Sequence, residues 1–199
     1  MINHTYKCIF IHIPRTAGTS MELTIDNQNW VNNIKEKHLI ASVAKYIYRD
    51  YWDDYFKFTI VRNPWDRMVS MTKFPTHYGC RVKKKLVDVN HYLSWYDKIE
   101  IDKRAAKPPA QPTTYLADAV YLNILDEPIN YVARFETLQS DWEYIQDKIK
   151  CNAELKHYTQ NIRKHREHYS CFYTEYTKQQ VQDKYAKDIE HFNYKFEHL

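Results

Sequence analysis

The order of strand-like and helix-like segments predicts an α/β fold, with a central, mostly parallel sheet flanked by helices. Three short apolar runs carry this expectation: Tyr6–Ile13 (YKCIFIHI), Tyr55–Val61 (YFKFTIV) and Asn130–Phe135 (NYVARF). Each is rich in Ile, Val and aromatic residues, as buried strands are, and each leads into a segment with helical spacing. A strand, a helix and a further strand in succession favour parallel pairing through right-handed crossovers.

The first strand halts at Pro14, and a small-residue turn, Arg15–Ser20 (RTAGTS), opens the helix that MELTIDNQ continues. Asn29–Ile34 reads as a further strand. His38–Trp52 has Leu39, Val43, Ile47 and Tyr51 at helical intervals. The Tyr55–Val61 strand ends at Arg62-Asn63-Pro64, where Asn63 suits a helix cap and Pro64 the first helical position. The sequence WDRMVSMTKF then continues as a helix. Asn90–Ile99 reads as a helix, and Lys103–Thr114 (KRAAKPPAQPTT) as a Pro-rich loop. Helices are expected at Thr137–Lys150 and Thr174–Glu190, around a polar stretch at Lys156–Ser170. The whole reads as one domain, 1–199, with a loop-rich, mobile insertion at about 80–128.

Composition narrows the function classes. With 199 residues the chain can bury a core without staples. Lys and Arg number 29 and Asp and Glu 25, so the net charge of +4 excludes a histone-like polycation but allows an anionic ligand. Only two glycines occur, where roughly 14 would be usual, so Gly18 and Gly79 call for local explanations. Cys8, Cys80, Cys151 and Cys171 are scattered without a CxxC pair, which points to free thiols rather than a zinc or dithiol site. Met1–Cys8 has no apolar leader, and the longest apolar run is too short for a bilayer. The expectation is a cytoplasmic chain without signal peptide or transmembrane segment, and nucleic-acid binding is not expected.

Two turns can carry chemistry. In IHIPRTAGTS, a strand–turn–helix junction aims backbone N–H groups and a helix dipole at one point. Thr16, Thr19 and Ser20 add hydroxyls and Arg15 a fixed cation, which makes a cradle for phosphate or sulfate; the same segment also reads as an ordinary tight turn. In FTIVRNPWDRMVS, Arg62 at a strand end and Ser70 on the next helix can grip a second anion. Alternatively, Arg62 pairs with Asp66 and Ser70 merely packs. Ligands of open parallel sheets sit beyond the carboxyl ends of the strands, where both turns lie.

IFIHIPRTAGTS resembles the 5′-phosphosulfate loop, and FTIVRNPWDRMVS the 3′-phosphate motif, of sulfotransferases that use 3′-phosphoadenosine 5′-phosphosulfate (PAPS). The motifs look like those of the carbohydrate group that includes heparan sulfate 2-O-sulfotransferase and its small bacterial relatives. YVARFETLQSDWEYI and YSCFYTEYTKQQVQDKYAKDIEHFNYKF extend the likeness, which leaves about 80–128 unmatched. The resemblance implies a P-loop-like three-layer fold, PAPS as donor, PAP as product, no metal, and a hydroxyl acceptor that is a glycan or polysaccharide. It implies that Arg15, Thr16, Ala17, Gly18, Thr19 and Ser20 hold the 5′-phosphosulfate and that Arg62 and Ser70 hold the 3′-phosphate. His38 matches the place of a base proposed in relatives, with the ordinary pKa of about 6.5 suited to neutral pH. Asn161, Arg163, Arg166 and Tyr169 resemble a segment that folds over the cofactor.

One departure stands out: the family usually carries Lys where this chain has Arg15, and Arg cannot donate a proton. A non-catalytic PAP- or PAPS-binding module is therefore an alternative. A P-loop nucleotide kinase is another, against which the missing GxxxxGK[ST] and Mg²⁺ carboxylate argue. Of the remaining candidates, His12 reads as a packed core residue. Glu22 reads as a complement to its helix N-terminus or a second-choice base, and Glu136 as a cap or brace of the following helix. RVKKK (81–85) reads as a solvated basic face or a contact for an acidic polysaccharide.

Overall fold

The computed structural model describes residues 1–26, 29–30, 36–72, 120–157 and 167–198. Strands β1 (Ile2–Asn3), β2 (Cys8–Ile11), β3 (Phe56–Val61) and β4 (Tyr131–Arg134) form one sheet in that order. β2, β3 and β4 run parallel, with Phe10 opposite Phe58 and Ile60 opposite Ala133, while β1 is antiparallel to β2. The described helices are α1 (Gly18–Ile25), α2 (Ala41–Ile47), α3 (Arg49–Trp52), α4 (Pro64–Thr72), α5 (Tyr121–Ile124), α6 (Leu138–Ile149), α7 (Glu175–Lys184) and α8 (Ala186–His191). A 3₁₀ turn spans Tyr169–Phe172.

Strand alternation sorts the apolar side chains into two cores, as a sheet covered on both faces requires. Cys8, Phe10, Phe58, Ile60 and Ala133 face α1 and α6, against Met21, Ile25, Trp142 and Ile145. Ile9, Ile11 and Val61 face the other way, against Ala41 and Ala44 of α2, Met68 of α4, and Val181 of α7. The result is helix layer, sheet, helix layer. Among the described residues no helix is long and apolar enough to cross a membrane.

The central strands stand where expected, and β1 is additional. Two residues are too few for periodicity to reveal, and β1 depends on pairing with β2, extended by the bond from Phe10 N to Met1 O at 2.8 Å. Residues 29–30 are helical rather than extended, and the rest of that expected strand, 31–34, lies outside the described residues. The 38–52 and 174–190 segments are each broken, at Tyr48 and Tyr185, whose φ angles near −105° and ψ near +20° depart from the helix. Both tyrosines are buried in the core facing α2 and α7, so packing overrides a continuous helix. Gly79, Cys80, RVKKK, the 90–99 helix and the Pro-rich loop lie outside the described residues.

Residues 120–128, expected at the end of the insertion, carry α5 instead. Asp188 of α8, fully buried, accepts the backbone N–H groups of Tyr121 at 2.6 Å and Leu122 at 3.1 Å. These are first-turn donors that a helix cannot satisfy internally. Tyr121 in turn donates its hydroxyl to Arg62 O at 2.5 Å. The C-terminal helix therefore sets the turn after β3. Asp188→Ala should lower stability by about 1–3 kcal/mol, read as a reduced denaturant midpoint, because two buried donors lose their acceptor.

Candidate anion-binding site

The turn after β2 is built on left-handed backbone. Arg15 and Ala17 both have φ of 70°, and α1 begins at Gly18 directly after. Left-handed residues placed one apart can turn successive N–H groups toward a common side, a geometry able to receive an anion. The N–H groups of Gly18 and Thr19 have no acceptor within α1, and the positive end of the helix dipole adds to them. Gly18 is required sterically. A Cβ there would lie 1.9 Å from His12 Nε2 and 2.0 Å from its Cδ2.

The hydroxyls of this turn are not all directed at a ligand. Thr16 is fully buried and donates Oγ1 to Ile13 O at 2.8 Å, closing the turn on itself. Its contribution to an anion would come from the backbone. Ser20 is buried in the first turn of α1 and Thr19 is half-buried.

The turn after β3 interlocks with this one. Asn63 Oδ1 accepts the N–H of Trp65 at 3.1 Å, and Pro64 takes the first helical position of α4. Arg62 pairs with Asp66 through Nε at 2.8 Å and Nη2 at 2.6 Å, and its Nη1 donates to Arg15 O at 3.2 Å. Its guanidinium lies 4.0 Å from the Phe135 ring centroid. Ser70 does more than pack: Oγ accepts Arg15 Nε at 3.2 Å and Nη2 at 3.0 Å. Arg15, Arg62 and Ser70 thus form one cluster beyond the carboxyl ends of β2 and β3.

Sequence reasoning passed over Arg67. This fully buried residue donates Nε to Pro14 O at 3.1 Å and lies 4.6 Å from the Tyr121 ring centroid. Its place in the same helix face as Ser70, three residues earlier, was the available signal. Glu136, expected to serve its own helix, instead accepts Asn63 N at 2.6 Å and Tyr194 OH at 3.3 Å. Tyr169 is buried; its hydroxyl accepts Glu197 N at 2.6 Å and faces Asn63 Nδ2 at 3.4 Å. It braces the second turn rather than lying open over it. Asn161, Arg163 and Arg166 lie outside the described residues.

His38 stands beside the first turn. Its Nδ1 is 2.9 Å from His12 O, and a carbonyl can only accept, so the proton sits on Nδ1 and the lone pair on Nε2. Burial and the neighbouring His12 hold its pKa well below 6.5, lower than the ordinary value expected from sequence. His12 is buried as expected, and its pKa is also pushed well down, by burial and then by Lys37. Glu22 lies beyond the first turn of α1 and bonds His12 and Lys37, so it does not complement the helix N-terminus.

A family model described as "Sulfotransferase family" matches residues 1–195. The chain belongs to the sulfotransferase family. Comparison with curated proteins and with solved structures returned no match. For a sulfotransferase the reaction class is sulfuryl transfer to a hydroxyl-bearing acceptor, and the family generally draws on PAPS as donor. The mostly parallel sheet with flanking helices agrees with that membership. Gly18→Ala should cost about 1–3 kcal/mol in thermal or denaturant unfolding, since the added carbon meets the His12 ring.

Proposed function

We propose that this sulfotransferase uses PAPS and sulfates a carbohydrate hydroxyl. The observation that carries the donor reading is the single cluster of Arg15, Arg62 and Ser70 joining the two turns at the ends of β2 and β3. The fit is chemical: a left-handed turn at a helix N-terminus with a fixed cation suits one anion, and a strand-end guanidinium with a helix hydroxyl suits a second. The backbone of residues 15–20 and the Arg15 side chain would hold the phosphosulfate end. Arg62 and Ser70 would hold the 3′-phosphate. Asp66 and the Phe135 ring fix the Arg62 fork in orientation before any anion arrives, which reduces the ordering cost of binding. The carbohydrate reading rests on the likeness of the motifs to those of the carbohydrate group.

When bound, PAPS supplies an activated sulfuryl group. Arg15 remains charged throughout and acts by offsetting negative charge on the leaving phosphate, not by protonating it. His38 Nε2 takes the proton of the acceptor hydroxyl, a contribution of roughly 10²–10⁴-fold in comparable cases. The Nδ1–H bond to His12 O directs that lone pair. Arg163, by the same likeness, would approach the cofactor from the segment before Tyr169.

Calorimetric titration with adenosine 3′,5′-bisphosphate in the absence of Mg²⁺ tests the site. Arg62→Ala should weaken that binding by about one to two orders of magnitude; unchanged affinity removes the 3′-phosphate assignment. Stabilisation by ATP with Mg²⁺ alone would favour a kinase. Transfer of ³⁵S from labelled PAPS to a glycan panel tests the reaction, and bisphosphate binding without transfer to any glycan favours a binding module with Arg15 in place of Lys.

The pH profile follows from His38. A base works deprotonated, and a depressed pKa keeps it so throughout the neutral range. The acid limb of kcat/KM should therefore fall below pH 6.5, with activity lost as pH drops through it. His38→Gln should abolish that limb and cut transfer at least tenfold, about 1.4 kcal/mol, while bisphosphate affinity is retained.

A further inference from the structure

Behind the first turn lies a buried polar chain that the assignments above do not use. Glu22, fully buried in α1, has Oε1 2.5 Å from His12 Nδ1, and its Oε2 accepts Lys37 Nζ at 2.8 Å. An ionised carboxylate in such a place is costly unless paired on both oxygens, as it is here. Its partner His12 touches three parts of the site at once. The His12 ring edge fills the space where a side chain on Gly18 would stand. One ring face lies toward Phe10, with centroids 5.6 Å apart, and His38 lies 4.2 Å away by the same measure. The His12 carbonyl holds the proton of His38 Nδ1.

We propose that Glu22 is a positioning residue of the transfer site, which by bonding His12 sets both the seat of the anion-binding turn and the orientation of His38. The inference rests on His38 acting as base. With Nδ1–H donated to Glu22, the His12 ring cannot flip or rotate without losing a buried hydrogen bond. The turn at Gly18 then packs on a fixed surface, and the residue that presents its carbonyl to His38 is anchored by its own side chain. Charge acts in parallel. The groups facing His38 are His12 from the β2 end, Glu22 from α1, and Lys37 beside it in sequence. His12 and Lys37 disfavour the imidazolium, whereas Glu22 and the His12 carbonyl favour it.

The test uses ¹⁵N-edited NMR of the imidazole rings in the full chain, together with calorimetric titration of adenosine 3′,5′-bisphosphate. In the wild type at pH 7.5, His38 and His12 should both be neutral and protonated on Nδ1. In Glu22→Leu, His12 loses its acceptor. The Nε2-protonated form of His38, which exposed imidazoles favour, should then appear, and bisphosphate affinity should fall by about tenfold. A folded Glu22→Leu with both quantities unchanged overturns the proposal. Glu22→Gln supplies a second arm, because its amide oxygen can still accept from His12 while the charge and the oxygen that accepts Lys37 Nζ are lost. The His38 protonation midpoint should move down, because the Glu22 carboxylate favours the imidazolium; an unmoved midpoint in a folded Glu22→Gln also overturns the proposal. A purely structural role would lower the unfolding temperature and leave tautomer and midpoint alone. A wild type with the His38 proton on Nε2 would instead remove the base reading itself.

Discussion

Two carbonyl oxygens, those of Pro14 and Arg15, accept hydrogen bonds from the guanidinium groups of Arg67 and Arg62. Backbone oxygens of one turn are thereby held by side chains of the other, and the Arg15 side chain returns the contact at Ser70. A turn containing two non-glycine residues at φ of 70° carries backbone strain. Such a conformation persists only where surrounding contacts over-determine it, and Arg62 of the second turn with Arg67 of α4 supplies such contacts. Charged donors suit the task, since hydrogen bonds from ionised groups are about twice as strong as neutral ones.

The rest of the fold supports this junction from behind. Tyr121 links Arg62 O to α5, α5 hangs on Asp188 of α8, and the Tyr121 ring lies against Arg67. Asn63 is held on three sides: its N–H by Glu136, its Nδ2 by Lys195 O at 2.9 Å, and its Oδ1 by Trp65 N. Phe196 packs edge-on against Trp65, Tyr169 and Tyr173. The C-terminal segment, polar and aromatic in sequence, is thus a brace for the second turn. Its aromatic content has a mechanical meaning that composition does not disclose.

The central strands were legible because each is a short apolar run ending at Pro14, at Asn63-Pro64 or before a helix, and local propensity agrees there with the final fold. The cap at Asn63 was legible for the same reason: a side-chain oxygen two residues before the N–H it accepts is a local event. Both turns read in the sequence as candidate places for anions, and the structure brings Arg15, Arg62 and Ser70 of those turns together. The pairing of Arg62 with Asp66 was left open, because an i,i+4 spacing on a helix start permits it but a nearby ligand would compete. Glu136 and Glu22 were misplaced for a common reason. Each has a plausible partner within its own helix, yet each bonds groups on other elements that the fold brings to it.

From the order of its residues alone, the chain determined its β-α-β pattern, its two candidate anion turns and its likeness to sulfotransferases, since periodicity, caps and motif spacing act over short stretches. Only the tertiary structure decided that Arg67 and Arg62 clasp the first turn, that His12 stands beneath Gly18, and that His38 carries its proton on Nδ1. Two of those outcomes join residues tens of positions apart, and the third, His12 under Gly18, needs the chain to fold back across its own turn. Whether a buried polar group is stable depends on which distant donor or acceptor reaches it once water is excluded.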